Sequence, residues 1–245
     1  MEHVRIEPAI HYWGTPVVLV STLNEDGTTN VAPMSSAWWL GWSCMLGLDA
    51  SSQTTVNLRR HPECVLNLAD AGLVDAVDRL ALTTGRPDVP LHKKLLGYRS
   101  VPDKLACAGL TAIDSVRVRP QRVAECRVQL EAVVESVRPF AKRDPRMAIA
   151  AACVEVRIVA AHADRALLAD GTSDRIDPAR WQPLVMSFRR FFSLGAELRA
   201  SRLARGPEEA YAPWKGGVLR GLAGRALSAW SARQYGVGEP PSDEG

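Results

Sequence analysis

Two short runs of small hydroxyl residues are the parts of this chain best suited to chemistry. One is Met34-Ser35-Ser36-Ala37, set between Pro33 and the pair Trp38-Trp39. The other is Ser51-Ser52-Gln53-Thr54-Thr55. Serine and threonine at a helix start satisfy its free N–H groups. The same N–H groups, with the helix dipole behind them, suit a phosphate. Such a run is either a plain cap or an anion seat, and the capping pattern alone does not choose between them. Other site signatures are absent: there is no nucleophile elbow, HExxH, Walker A lysine motif, or GxGxxG after a strand. His3, His11, His61, His92 and His162 fall at no metal-ligand spacing, so no metal is expected. No catalytic residue stands out.

Strands must carry these runs. Residues 17–23 (VVLVSTL) are β-branched and read as a strand, with Asn24-Glu25-Asp26-Gly27 as a hairpin signal. Residues 28–34 return, and Pro33 marks a sheet edge. Residues 43–48 and 64–68 are further strands. Between them a helix runs from the second hydroxyl run to about Arg60, and Pro62 ends it. Residues 73–82 have helical spacing. Residues 87–110 read as a long loop with a helical turn or two, and Lys93 and Lys94 as its solvated charges. Residues 123–137 form a long strand with Gln129, Glu131 and Val133 on a wet face, and residues 149–161 behave alike. Glu125 and Glu131 then share a face roughly 20 Å apart, too far for an acid–base couple. Cys126 reads as a small buried hydrophobe in that strand, and His162 as a strand-end surface residue. Antiparallel strands at hairpin distance with short helices inserted suggest a small barrel, a mainly β fold.

Past residue 161 the pattern changes. Asp177-Pro178-Ala179-Arg180 reads as a helix start. From Glu197 to Gln234 seven basic residues meet three acidic ones, and Leu219, Ala223, Ala226 and Trp230 fall on one helical face. Three parts result: a domain over 1–198, an Arg-rich helical extension over 199–235, and a disordered tail over 236–245. The chain has 245 residues, 47% hydrophobic and 23% charged, and a net charge of +3. That excess is too small and dispersed to point to nucleic acid. No apolar run reaches the ~18 residues of a membrane span. Five cysteines, no two closer than 19 positions, and no secretory signal point to reduced thiols in the cytoplasm.

The order of several dispersed pieces is more specific than any one of them. Gly14-x-Pro16-Val17 is followed by Asn24-x-Asp26-Gly27, Asn30-Val31-Ala32-Pro33-Met34-Ser35-Ser36 and Leu46-Gly47-Leu48. Thr54-x-x-Asn57-Leu58, Val65-x-Asn67-Leu68, Asp103-Lys104, Ala108-Gly109-Leu110-Thr111, Glu125-Cys126 and Gln129-Leu130-Glu131 come next. Ile176-Asp177-Pro178, Trp181-x-Pro183-Leu184 and Phe188 complete the series. This resembles the flavin reductase-like family over about residues 10 to 198.

The resemblance implies an FMN-binding split barrel of about six antiparallel strands in Greek-key order, usually a homodimer. It implies that Met34, Ser35, Ser36 and Ala37 lie along the isoalloxazine, that Ser51, Ser52 and Thr54 approach the phosphate, and that Asn57 matches the family's helix asparagine. The activity implied is an oxidoreductase that passes electrons from NADH or NADPH to FMN and onward, with a flavin-dependent monooxygenase as a possible partner. The alternatives are a flavin enzyme acting directly on a small metabolite, and a non-catalytic module binding FMN or haem. The chain departs from the family pattern twice. Gln53 stands where many members carry Arg or Lys, and Leu105 stands where Phe often follows the Asp-Lys pair. Trp38 and Trp39 read as core or subunit-interface residues rather than flavin stackers.

Overall fold

The computed structural model describes residues 1–205, 226 and 229–234. It divides the chain into two units, Met1–Ala196 and Glu197–Gly245. The first is built on a sheet of seven antiparallel strands. In chain order these are β1 (Val18–Leu23), β2 (Thr29–Met34), β3 (Ala37–Leu40), β4 (Ser43–Asp49), β5 (Glu63–Leu68), β6 (Val128–Phe140) and β7 (Ala151–Ala163). The helices are α1 (Gln53–Arg60), α2 (Val74–Arg79), α3 (Leu91–Leu95) and α4 (Lys104–Ala108).

Local chemistry sets the first hairpin. Gly27 takes φ +84° at its turn, and the Asp26 carboxylate accepts from the Thr28 N–H at 3.0 Å and hydroxyl at 2.6 Å. The long β6–β7 hairpin runs in register from Val128 opposite Ala163 to Phe140 opposite Ala151. Across the sheet the order is β2-β1-β5-β6-β7-β4-β3. Its two edge strands, β2 and β3, are consecutive in the chain and are joined by Ser35-Ser36 alone. The edges are therefore tied together, and the sheet curls into a barrel. The Gly47 N–H of β4 donates to the Ser36 carbonyl at 2.8 Å, which pins the joint.

Alternation along β1 sorts its side chains between two cores. Val18 and Val20 face the barrel interior with Leu46, Leu66, Val154 and Val156. Leu19, with Val17 just before the strand, faces outward and packs with Val31, Val77, Leu80 and Ala108 under α2 and α4. Each such fully buried side chain contributes about 1.5–3 kcal/mol. With both faces covered, β1 is buried along its whole length.

Several expectations change here. The long strand starts at Val128, so Cys126 lies in the preceding loop, though buried as expected. Glu125 sits in a turn, its carboxylate taking the Thr111 N–H at 3.0 Å, and shares no strand face with Glu131. The face read as wet is dry: Gln129 and Glu131 are buried. The segment after α4 folds over it, and its Val116, Arg117 and Val118 N–H groups all donate to the Glu131 carboxylate. A loop crossing a sheet must place its backbone donors somewhere, and a strand carboxylate takes three of them at once. Asp177-Pro178 opens a single turn rather than a helix, with Asp177 accepting from the Ala179 N–H at 2.9 Å. Val185–Ser187 and Arg190–Phe192 form a tight hairpin.

In the second unit, Arg202–Arg205 makes one helical turn, and Ala226 and residues 229–234 are helical. Trp230 is exposed. Leu219 and Ala223 of the expected stripe, and the tail over 236–245, lie outside the described residues. Among the described residues no helix is long and apolar enough to cross a membrane.

Candidate cofactor site

The joint between the barrel edges forms one wall of a cavity of about 770 Å³. Asn30, Ala32, Pro33 and Met34 of β2 continue into Ser35 and Ser36. The first turn of α1 adds Ser52, Gln53 and Thr54. Thr83, Thr84 and Gly85 form a third side, and His92, Lys93, Tyr98 and Lys104 a fourth. Tyr12 and Ile149 close in from the N-terminal segment and the β6–β7 loop.

Five of the expected residues, Met34, Ser35, Ser36, Ser52 and Thr54, come together on this cavity. The other three do not line it. Ala37 points into the barrel core. Ser51 turns its hydroxyl and N–H to Asp49 Oδ1, both at 2.7 Å. Asn57 lies on the buried face of α1, donating to Thr22 Oγ1 at 3.0 Å and Asn24 Oδ1 at 2.9 Å. Ser52 is the helix cap, its hydroxyl accepting from the Thr55 N–H at 3.1 Å. The Thr54 hydroxyl makes no hydrogen bond among the described residues, and the Gln53 and Thr54 N–H groups lie in the open first turn.

The cavity's charges were largely missed in the sequence. Lys93 is buried, not solvated, and its Nζ stands 3.1 Å from Asp49 Oδ2. His92 Nε2 shares that oxygen at 3.1 Å. Burial would raise the Asp49 pKa, but the Ser51 hydroxyl, His92, the Ser51 N–H and Lys93 outweigh it and hold the carboxyl at about 2. Lys104 is 3% exposed and, among the described residues, pairs with no carboxylate. Burial, then the like charge of Lys93, pushes its amine down to about 8. The one sequence signal near Lys104 is the capping Asp103, since a five-residue helix is too short to show a period. Asp103 caps α4 through the Ala106 N–H at 2.9 Å, and Lys104 shares the buried face with Ala108 four residues on.

Two backbone and amide features complete the site. The Asn30 Oδ1 is buried without a hydrogen-bond partner among the described residues. Gly85 lies so close that a Cβ there would come within 2.5 Å of that oxygen and 3.3 Å of Gln53 Cγ. Only glycine fits, and it brings the backbone of residues 83–85 against β2 and α1. The cavity lining thus combines the cations Lys93 and Lys104, the Thr54 hydroxyl and the α1 start with Pro33, Met34, Ser35 and Ser36 of the barrel joint. Among the described residues no group of three His, Cys, Asp or Glu side chains converges as a metal site would require.

The family model for the flavin reductase like domain matches residues 10–195. The chain belongs to the flavin reductase-like family. The uncharacterized protein YdfE of Bacillus subtilis (strain 168) is 39% identical over 194 residues, 79% of this chain and 90% of that one. Flavoredoxin of Desulfovibrio vulgaris (Miyazaki F) superposes with a TM-score of 0.65 at 17% identity, covering 84% of this chain and all (100%) of that chain. Component B of nitrilotriacetate monooxygenase from Bacillus cereus gives 0.64 at 19%, covering 82% and 100%. At these identities the two structures establish the fold, the split barrel of the flavin reductase-like family.

Proposed function

We propose that this protein binds FMN in the cavity at the barrel joint, reduces it with NADH or NADPH, and passes the electrons onward. One observation carries the reading: Lys104, which lines the same cavity as the uncommitted Thr54 hydroxyl, is a buried amine without an acidic partner among the described residues. A buried charge left alone is costly, and a phosphate supplies what is missing. The orphaned Asn30 Oδ1 is an acceptor held toward the same cavity, and Gly85 keeps the wall open beside it. These residues fit a phosphate-bearing planar ligand. Lys104, Lys93 and Thr54 would hold the phosphate, while Ser35 and Ser36 at the pinned joint would offer donors along the ring edge. The bound flavin supplies the hydride and electron chemistry. The chain supplies position and charge, which accounts for a site without an acid–base dyad.

Family membership supports the oxidoreductase class. The likeness to a monooxygenase component B supports a flavin-dependent monooxygenase as recipient of the reduced flavin. We further propose a homodimer. Trp38 and Leu40 of the edge strand β3, with Trp42 beyond it, are exposed together, and unpaired edge strands with apolar side chains are natural contact surfaces. The five free thiols support the cytoplasm as its compartment.

The test is the absorption spectrum of purified protein titrated with FMN, followed by NADH or NADPH oxidation with and without added free flavin. A flavin spectrum with oxidation that rises with free flavin is the expected result. Flavin bound without NAD(P)H oxidation would overturn the reductase reading, and absence of flavin binding would overturn the site.

A further inference from the structure

Residues 85–98 form one side of the cavity as a loop closed at its base. Thr83–Thr84 and Arg99–Ser100 pair as a two-residue parallel ladder, so the chain leaves and returns at one place. Glycines stand at both ends of the loop, Gly85 and Gly97, the latter at φ +86°. Among the described residues no backbone hydrogen bond joins residues 85–98 to the rest of the chain. Apolar anchoring is missing as well. Leu91, Leu95 and Leu96 of the α3 segment are exposed, and the only buried residue of the loop is Lys93.

What holds the loop is polar and gathers on the turn between β4 and α1. Asp49 Oδ2 faces both Lys93 Nζ and His92 Nε2, each at 3.1 Å. The Ser51 carbonyl accepts from Arg86 Nη1 at 3.4 Å. Asp49 is itself fixed, because its Oδ1 takes the Ser51 N–H and hydroxyl. We infer that residues 85–98 are a lid on the flavin cavity, that Asp49 is the positioning residue that latches it, and that this latch sets how fast flavin leaves. The inference rests on the flavin reading above and extends it to the control of release.

Closed, the lid sets His92, Lys93 and Tyr98 in the cavity wall. Open, it withdraws that wall and takes the Lys93 amine away from the phosphate. A segment with one buried residue and an ionic tie opens without disturbing the barrel, as lids drawn from the least stable parts of a fold do. A plain counter-charge would behave in the opposite sense. If Asp49 only neutralised Lys93, removing its charge would free that amine for the phosphate and slow FMN release. If Asp49 is the latch, removing its charge speeds release, and does so whether or not the ligand carries a phosphate.

The test is stopped-flow dilution of FMN-loaded and of riboflavin-loaded protein, read by flavin fluorescence, beside trypsin cleavage of the flavin-free protein after Lys93 and Lys94, read by mass spectrometry. Asp49→Asn keeps the shape and removes the charge. It should speed release of both flavins about ten- to a hundredfold, the effect of losing a charge-assisted hydrogen bond. Cleavage in the lid should rise with it, since proteolysis of a locally opened segment follows its population. His92→Ala, at a partly exposed position, should act in the same direction by about three- to tenfold. Asp49→Glu retains the carboxylate and should recover most of the difference. An effect on FMN alone, of either sign, would make Asp49 a charge partner of the phosphate seat and overturn the lid. Unchanged release of both flavins, or unchanged cleavage, in both Asp49→Asn and His92→Ala would overturn it too. Faster cleavage in variants of a protein that holds no flavin would leave the latch standing and overturn only the flavin reading of the cavity.

Discussion

Asn67 and Asn30 lie on strands flanking β1, and both are almost completely buried. Asn67 is fully used. Its Nδ2 donates to the Leu19 carbonyl and Ser21 Oγ, each at 2.9 Å, and its Oδ1 takes the Val123 N–H at 2.8 Å. Asn30 is half used: Nδ2 reaches Thr22 Oγ1 at 3.4 Å, and Oδ1 has no partner among the described residues. The same contrast separates Glu131, with three backbone N–H groups and His162 Nε2 at 2.7 Å, from Lys104, with no acid. Buried polar groups satisfied within the chain hold the fold together. Buried polar groups left open are where the chain expects something else.

Removing a satisfied group should give the largest effect. Glu131→Ala would leave three backbone donors and His162 without an acceptor under a folded loop. A loss of about 3–5 kcal/mol is expected, as for breaking a buried charged network. At roughly 2–4 °C per kcal/mol for a chain of this size, thermal unfolding should drop by about 6–20 °C. A melt unchanged within about 2 °C would break the contrast on its structural side. Wild-type protein should show the same term through acid. Burial raises the Glu131 pKa, but the Val116 and Arg117 N–H groups and His162 outweigh it, so its folded pKa lies below the ordinary 4.5. A depressed carboxylate stabilises the fold above its unfolded pKa, and that stability is lost as pH falls through the lowered folded value.

The opposite outcome is expected on the open side. Lys104→Met removes a buried, unpaired charge, so the flavin-free protein should melt no lower than wild type. FMN affinity should fall by about ten- to a hundredfold, the effect of one charge-assisted hydrogen bond, while riboflavin binding stays unchanged. Fluorescence titration with both flavins reads this directly. An equal loss for both would mean that Lys104 shapes the cavity rather than meeting a phosphate.

A milder form of the same test needs no mutation. Lys104 titrates at about 8 in the folded chain against 10.5 ordinarily. A depressed amine means that folding disfavours the charged form, so between those values the empty protein gains stability as pH rises. A phosphate needs the charged form. FMN affinity should therefore decline as pH rises through about 8, by up to about tenfold near pH 9, with riboflavin flat over the same range. Lys104→Met should abolish the slope.

The barrel was legible because β-branched runs, the Asp26-Gly27 turn and period-two burial act locally. Strand β3 was not, because its outward side chains, Trp38 and Leu40, are as apolar as the inward Ala37 and Trp39, so its alternation in burial leaves no apolar–polar pattern in the sequence. Half of the cavity was legible for a similar reason. Ser52 and Thr54 advertise themselves through capping, whereas Lys93 and Lys104 sit in five-residue helices whose period cannot be read from so few turns. A lysine in a loop-like segment looks solvated until the neighbours that bury it, here Asp49 and Tyr98, are known.

The smallest effect separates two hydroxyls that look equivalent in sequence. Ser52 is engaged as the cap of α1, so Ser52→Ala should cost about 1 kcal/mol of stability, the ordinary value of an N-cap. Any change in FMN affinity there would follow from a frayed helix and would affect riboflavin too. Thr54 is buried, and its hydroxyl makes no hydrogen bond among the described residues. Thr54→Val keeps the shape and β-branching and removes only the oxygen. Stability should stay within about 0.5 kcal/mol, and FMN affinity should fall by about three- to tenfold, the worth of a single hydroxyl hydrogen bond. Riboflavin should not respond. If Thr54→Val leaves FMN binding intact while Ser52→Ala weakens it, the phosphate lies over the cap rather than the first turn. The open hydroxyl would then be a packing residue, and the seat must be redrawn around Lys104 and the Ser52 end of α1.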